Sequence, residues 1–322
     1  MSDCHDLFTA FHEKIYLHSD KKKSLRSSRN AIRSKIRKYF KDTLKLTEPK
    51  FYGQGSYMMN TTINPIDEEY DIDDGIYLQH LEDVDGDDWP TPSTVHNWVI
   101  EAVDGHTDTD PLDKNTCVRV IYKAEYHVDL PIYVMQGDHP KLAHKNKGWI
   151  DSDPKLLTEW FNNEVSEKGN QLKRIVRYLK AWKDYKNSDP KLPSGMILTI
   201  LAANHYVEDD QDDAAFAATA KAIHQALSES FSLSRPVFPS EELIADWSTT
   251  KQDNFLNKLD SLIKKAGQAL EQNDKAKAAG KWIDVFGDRF PEFEPPEKEE
   301  QESSAARTFA SPPILGNHGR SA

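Results

Sequence analysis

The sequence predicts an α/β block followed by a helical lobe, and three observations carry that prediction. Short extended pieces separated by Gly, Asp and Pro turns occupy residues 50–136, and segments with three- and four-residue apolar spacing run from about 151 to 288. A basic, amphipathic stretch precedes both. With 322 residues, 38% of them hydrophobic and 10% aromatic, the chain can fill two domains or one bilobed unit. The expected division is an α/β lobe with N-terminal helices over 1–150, a helical lobe over 151–290 and a flexible tail over 291–322.

Taken in order, residues 3–18 and 20–42 read as two helices, the second with Ile32, Ile36 and Tyr39 on one stripe and Ser19 or Asp20 as its cap. The strand pieces are "KFYGQGSY", "YDIDDGIYL", "TCVRVIYKA" and "EYHVDLPIYV", with a helix in "PSTVHNWVIEAV" for which Ser93 is the expected cap. In "NQLKRIVRYLKAWKDY" Leu172, Ile175, Val176, Leu179 and Trp182 share one stripe, and Lys173, Arg177 and Lys180 another. "SGMILTILAANHY" is apolar all round and therefore central, whereas "QDNFLNKLDSLIKKAGQAL" is amphipathic. Trp98, Trp160 and Trp182 read as core. From Pro291 onward Pro, Glu and Ser dominate and little remains to bury.

Composition narrows the function classes. No apolar run approaches the roughly 20 residues that span a bilayer, and "MSDCHDLFTA" lacks the pattern of a signal peptide, so a cytoplasmic protein without a membrane partner is expected. Cys4 and Cys117 have no ligand-like spacing and read as free thiols. A net charge of -12 argues against a generally basic nucleic-acid coat, but the first fifty residues hold thirteen Lys and Arg against six Asp and Glu. That basic helix is either a solvated face or a contact for polyphosphate or nucleic acid.

The chemistry concentrates in two strands. Strand alternation projects Asp71 and Asp73 together, with Ile72, Ile76 and Leu78 on the opposite side. Two carboxylates that close repel unless a cation sits between them, and Mg²⁺ is the natural hard ion, with Mn²⁺ as a substitute. Asp74 falls on the otherwise apolar face, which suggests either a local bulge or a carboxylate satisfied by a neighbouring chain segment. In "YHVDLPIYV" Asp129 and His127 face away from Tyr126, Val128 and Leu130. Should this strand lie beside the first, Asp71, Asp73 and Asp129 converge on two divalent ions suited to phosphoryl or nucleotidyl transfer. His127 is the more ordinary case of a structural strand histidine. Upstream, Gly53 and Gly55 in "GQGSY" permit close backbone approach to an anion, and the Ser56 hydroxyl can donate to a phosphate.

This ordered set, Gly55-Ser56, Asp71-Ile72-Asp73 and then Asp129 in "HVDLP", resembles the polymerase-β-type nucleotidyltransferases. It is most similar to the cGAS/DncV-like enzymes (CD-NTases) of the bacterial anti-phage systems called CBASS. "QGSY", "DIDDGIYL" and "CVRVIYKAEYHVDLPIY" carry the likeness in the first lobe, and "LKRIVRYLKAWKDY" with "LPSGMILTILAANHY" carries it in the second. The resemblance implies a bilobed fold with a central cleft that makes a cyclic dinucleotide second messenger, cyclic GMP-AMP, from ATP and GTP. It implies that Asp71, Asp73 and Asp129 are catalytic and hold two Mg²⁺ ions. Gln54, Gly55, Ser56 and Tyr57 would cradle the donor triphosphate, with Lys180, Ser194 and Ser152 gripping nucleotide from the other side and the basic helix 20–42 adding counter-charge. The chain is shorter than the family pattern between Asp129 and the helical lobe. The family also suggests a monomer, a downstream effector that reads the product, and an E1/E2-like partner acting on the C-terminal Ala322. Two other readings share the fold: a template-independent RNA nucleotidyltransferase, which the acidic body disfavours, and an inactive binding or scaffold protein.

Overall fold

The structure, a computed structural model, describes residues 3–66, 70–123, 126–186 and 190–295. Beyond Pro295 the expected tail, and with it Ala322 as a conjugation point, lies outside the described residues.

The sheet is mixed and eight-stranded: β1 (Lys50–Gln54), β2 (Tyr70–Tyr77), β3 (Leu112–Asp113), β4 (Val118–Tyr122), β5 (Tyr126–Leu130), β6 (Ile132–Gln136), β7 (His139–His144) and β8 (Gly148–Asp151). Strand β2 is its centre, antiparallel to β1 and parallel to both β5 and β6. The strands β7 and β8 extend the sheet beyond the predicted pieces, each pairing antiparallel with its predecessor.

Two helices cover one face of the sheet: α2 (Ser19–Tyr39), which ends in a π turn at Phe40–Leu44, and α4 (Pro92–Val103). They bury Leu25, Ile32, Ile36, Val95 and Val99 against Ile72, Ile76, Val128 and Leu130. The helix starts differ from expectation. Neither Ser19 nor Asp20 caps α2, whose N-cap position is His18 with no side-chain bond. On α4 the Thr91 hydroxyl, not Ser93, accepts the Thr94 amide, because Pro92 takes the first helical position and moves the cap one residue upstream.

The helical lobe comprises α5 (Pro154–Lys168), α6 (Gln171–Tyr185), α7 (Gly195–His205), α8 (Asp212–Glu229), α9 (Thr249–Leu270) and α10 (Lys275–Phe286). Helix α7 is buried nearly all round, as its composition requires, and the α6 stripe Leu172, Ile175, Val176, Leu179 and Trp182 lies in the core. One boundary is corrected. Helix α1 (His5–Ile15) does not join the sheet lobe: Leu7, Phe8, Phe11 and Ile15 are buried in the helical core, and Phe8 packs edge-on against Tyr178 and Trp282. The physical reason is its aromatic face, which packs among Tyr178, Phe216, Trp282, Phe286 and Phe290 of that core. Between this core and the sheet opens a cavity of about 520 Å³.

Candidate active site

The floor of the cavity is the polar side of β2. Asp71 and Asp73 line it, while Ile72, Asp74 and Ile76 are buried on the sheet's helix-covered face. Across the ladder Asp73 stands opposite Gln54 of β1 on one edge and Asp129 of β5 on the other, and Asp71 stands opposite His127. Parallel pairing in this register gathers the polar residues of two strands that are otherwise buried. One ligand atom from each of Asp71, His127 and Asp129 lies within 4.8 Å of the others, and His127 Nε2 is 3.8 Å from Asp71 Oδ2.

The acids occupy distinct electrostatic settings. Asp73 is pushed well above the usual carboxylate range by burial and then by the charges of Asp71 and Asp129. Burial works the same way on Asp71, but its bond to His127 and the charges of His127, Arg119 and Lys180 outweigh it and hold that carboxyl low. Asp129 is gripped by Arg119 of β4, which donates through Nε and Nη2 at 2.7 Å to the two carboxylate oxygens. Asp129 therefore does not line the cavity directly. Asp74, the out-of-pattern acid of β2, accepts both Nε and Nη2 of Arg33 from α2 on the far face and is fully buried. Arg33 thus brings helix charge to an acid the strand pattern alone leaves unexplained.

Gly55 and Ser56 open the short helix α3 (Gly55–Met58) at the cavity edge. Gly55 has φ 68°, and a Cβ placed there would stand 2.3 Å from Asp73 Oδ2, so glycine is required both for backbone conformation and for room beside the acid. Ser56 Oγ pairs with Thr62 Oγ1 at 2.9 Å. Gln54 is buried, its Nε2 donates to the Tyr133 hydroxyl at 3.2 Å, and its Oε1 is left without a partner. Ser152 lines the cavity beside Tyr133. Tyr57 does not: its ring packs against the sheet core.

The opposite wall is helical. Lys180 of α6 is buried, and its Nζ donates to the Thr61 carbonyl at 3.1 Å and to Thr61 Oγ1 at 3.0 Å. Burial lowers its pKa to about 7, partly offset by the charge of Asp71. Lys183 and Arg235 are further cations of the lining, and Trp160 and Met196 supply apolar surface. Trp160, expected in the core, is partly buried and lines the cavity. Ser194 Oγ caps α7 by accepting the Ile197 amide at 3.3 Å, so its neighbours Gly195 and Met196 reach the cavity rather than Ser194 itself. Helix α2 contributes no residue to the lining: it covers the other face of the sheet, where its Arg33 serves Asp74. Arg177, which shares a stripe with Lys173 and Lys180, is buried.

Arg119 was within reach of the sequence. It is directly opposite Asp129 in the β4–β5 hairpin register, so pairing Val120 with Val128 also pairs the arginine with the acid. Lys183 and Arg235 carried no such signal, being a helix lysine and a loop arginine.

Residues 49–133 match the family model described as cyclic GMP-AMP synthase DncV-like, nucleotidyltransferase domain. Over 255 residues the chain is 30% identical to a cyclic GMP-AMP synthase of Escherichia albertii, covering 76% of this chain and 56% of that protein, so it spans little more than half of that relative's length. It is 25% identical over 250 residues to a cyclic AMP-AMP-AMP synthase of Acinetobacter sp., covering 74% of this chain and 71% of the relative. The fold matches the crystal structure of the Vibrio cholerae DncV cyclic AMP-GMP synthase, a prokaryotic cGAS homolog, with a TM-score of 0.77 at 21% identity over 90% of this chain and 97% of that chain.

Proposed function

From a chain whose residues 49–133 are a DncV-like nucleotidyltransferase domain, we propose an enzyme that joins nucleoside triphosphates into a cyclic oligonucleotide, with cyclic GMP-AMP the leading product. The observation that carries this reading is the register that sets Asp73 and Asp71, on the floor of a cavity whose far wall is cationic, beside Asp129 and His127 respectively.

The site suits a divalent cation. Asp73 is half-buried among like charges and Arg119 is committed to Asp129, which leaves a carboxylate whose repulsion a bound cation relieves. Asp71 and Asp73 would hold Mg²⁺, with Asp129 completing the set by sharing an oxygen with Arg119. When bound, the metal supplies charge neutralisation at the phosphates and a lower pKa for the attacking hydroxyl.

The remaining work falls to the chain itself. Gly55 lets the backbone approach the donor triphosphate, and Ser56 can turn its hydroxyl from Thr62 to a phosphate oxygen. Lys183 and Arg235 add counter-charge along the wall, and Lys180 holds the Thr61 segment beside it. Trp160 offers a flat apolar surface to a base. A ribose hydroxyl of one nucleotide then displaces pyrophosphate from the α-phosphate of the other, and a second such step closes the ring. We extend the reading to a second messenger of anti-phage defence, sensed by a downstream effector, which the family resemblance supports.

The test is incubation with all four labelled nucleoside triphosphates and Mg²⁺ or Mn²⁺, followed by phosphatase and nuclease P1. A small phosphatase-resistant product, absent from Asp71→Ala/Asp73→Ala, is expected, and its mass separates a dinucleotide from a trinucleotide ring. Extension of RNA, or no turnover, would overturn the proposal.

A further inference from the structure

The segment between the Gly55-Ser56 turn and β2 is fastened from both sides. Asn60, at φ 56°, turns the chain back on itself, a conformation Asn adopts more readily than most residues. The returning strap is tied to the turn twice: the Thr61 amide donates to the Ser56 carbonyl at 2.8 Å, and Thr62 Oγ1 pairs with Ser56 Oγ at 2.9 Å. From the helical lobe three cations donate to three of its carbonyls. Arg177 Nη2 bonds Asn60, Lys180 Nζ bonds Thr61 at 3.1 Å, and Arg289 Nη1 bonds Asn64 at 3.1 Å.

Arg177 is the most committed of the three. It is 4% exposed, its Nη1 meets His12 Nε2 of α1 at 2.8 Å, and its guanidinium lies 4.9 Å from the centre of the Tyr16 ring. A buried guanidinium is costly, and burial lowers its pKa to about 10. Such a cost is accepted where a charged donor fixes something else. Here the recipient is the backbone carbonyl of Asn60, five residues after Gly55.

We infer that Arg177 is a positioning residue for nucleotide binding: by holding the Asn60 carbonyl, it sets the strap that carries Ser56 and so fixes the phosphate cradle relative to the helical lobe. This inference rests on the nucleotidyltransferase reading of the cavity. It makes α6 a reference surface for both walls, since Lys180 and Arg177 project from it one turn apart onto successive strap residues.

The experiment compares wild type, Arg177→Met and Arg177→Lys by ATP and GTP affinity with Mg²⁺, by KM and kcat, by melting temperature, and by amide hydrogen exchange. In Arg177→Met, nucleotide affinity falls about tenfold and KM rises with it, the size expected for losing a charged hydrogen bond. Exchange accelerates over residues 55–62 while the α6 interior stays protected. Arg177→Lys recovers part of the affinity through one remaining donor, and carries the test if the methionine variant does not fold. A lowered melting temperature with unchanged affinity and unchanged exchange over the strap would overturn the inference and leave Arg177 a structural residue. A wild type that binds both nucleotides yet forms no cyclic product sinks the product assignment while the affinity comparison still decides on Arg177. A wild type that binds neither nucleotide overturns both.

Discussion

Two sets of acids serve opposite ends. In the helical lobe Asp212 is fully buried and fully bonded: Arg174 donates at 2.6 and 2.7 Å, Gln171 at 2.9 Å and the Tyr178 hydroxyl at 2.8 Å. Burial alone would raise its pKa, yet those bonds outweigh it and the carboxyl is held below the ordinary range. On the sheet the half-buried Asp73 lies beside two other carboxylates and is driven upward instead. Asp212 joins α6 and α8 in a closed network, whereas Asp73 is held in a repulsive one. Asp212 has its partners in the chain, whereas Asp73 is crowded by like charges that the proposed cation would relieve.

Breaking the two sets should give opposite phenotypes. Asp71→Ala/Asp73→Ala should cut product formation at least about a thousandfold, equivalent to about 4 kcal/mol of transition-state stabilisation, while the urea midpoint stays level or rises because like charges are removed. A falling midpoint would place those acids among the structural ones. Asp212→Ala should do the reverse, costing about 3 kcal/mol of unfolding free energy by stranding Arg174. That is the lower end for a buried pair, since Arg174 is 31% exposed. Activity per folded molecule should be retained, and a selective loss of kcat would break the contrast.

Gly55→Ala tests where the two functions meet, since the added methyl needs φ 68° and meets Asp73. It should cost about 1–2 kcal/mol of stability and most of the nucleotide affinity, both read by thermal melts with and without ATP and Mg²⁺. The smallest effect is in pH. Asp212 has a lowered folded pKa, so its contribution is present above the unfolded carboxylate value of about 4 and is lost as the pH falls through the folded value. Unfolding midpoints from pH 7 to pH 3 should therefore drop less steeply on the acid side in Asp212→Asn than in wild type.

What the sequence revealed follows the same division. Asp71, Asp73 and Asp129 were legible because strand alternation puts them on one face, and the parallel register of β2 with β5 needs no other element. Gly55 was legible because it precedes those acids in a turn. The partners of buried charges were not. Arg33 lies 41 residues from Asp74, and Arg177 reaches Asn60 over 117 residues, so local periodicity holds no trace of either contact. Helix α2 looked like a wall of the cavity because its cations are many, but its apolar side packs on the covered face of the sheet, where Arg33 meets Asp74, and Lys21 and Lys22 bond Asn64 and Asn60. Ser194, expected at the nucleotide, has its Oγ at the start of α7, where it accepts the Ile197 amide.

The placement of α1 also bears on the order in which the chain is made. Phe8 packs against Phe286 at 5.7 Å and Phe290 at 5.2 Å between ring centres, while α2, which follows α1 directly, packs on the sheet. On a ribosome the sheet lobe is complete long before α10 emerges, and α1 waits with its aromatic face uncovered for most of synthesis. Closing that contact spans nearly the whole described chain, which makes the helical core the late and slow part of folding. The same lobe supplies Lys180, so the cavity acquires its cationic wall only once the helical core has formed beside the sheet.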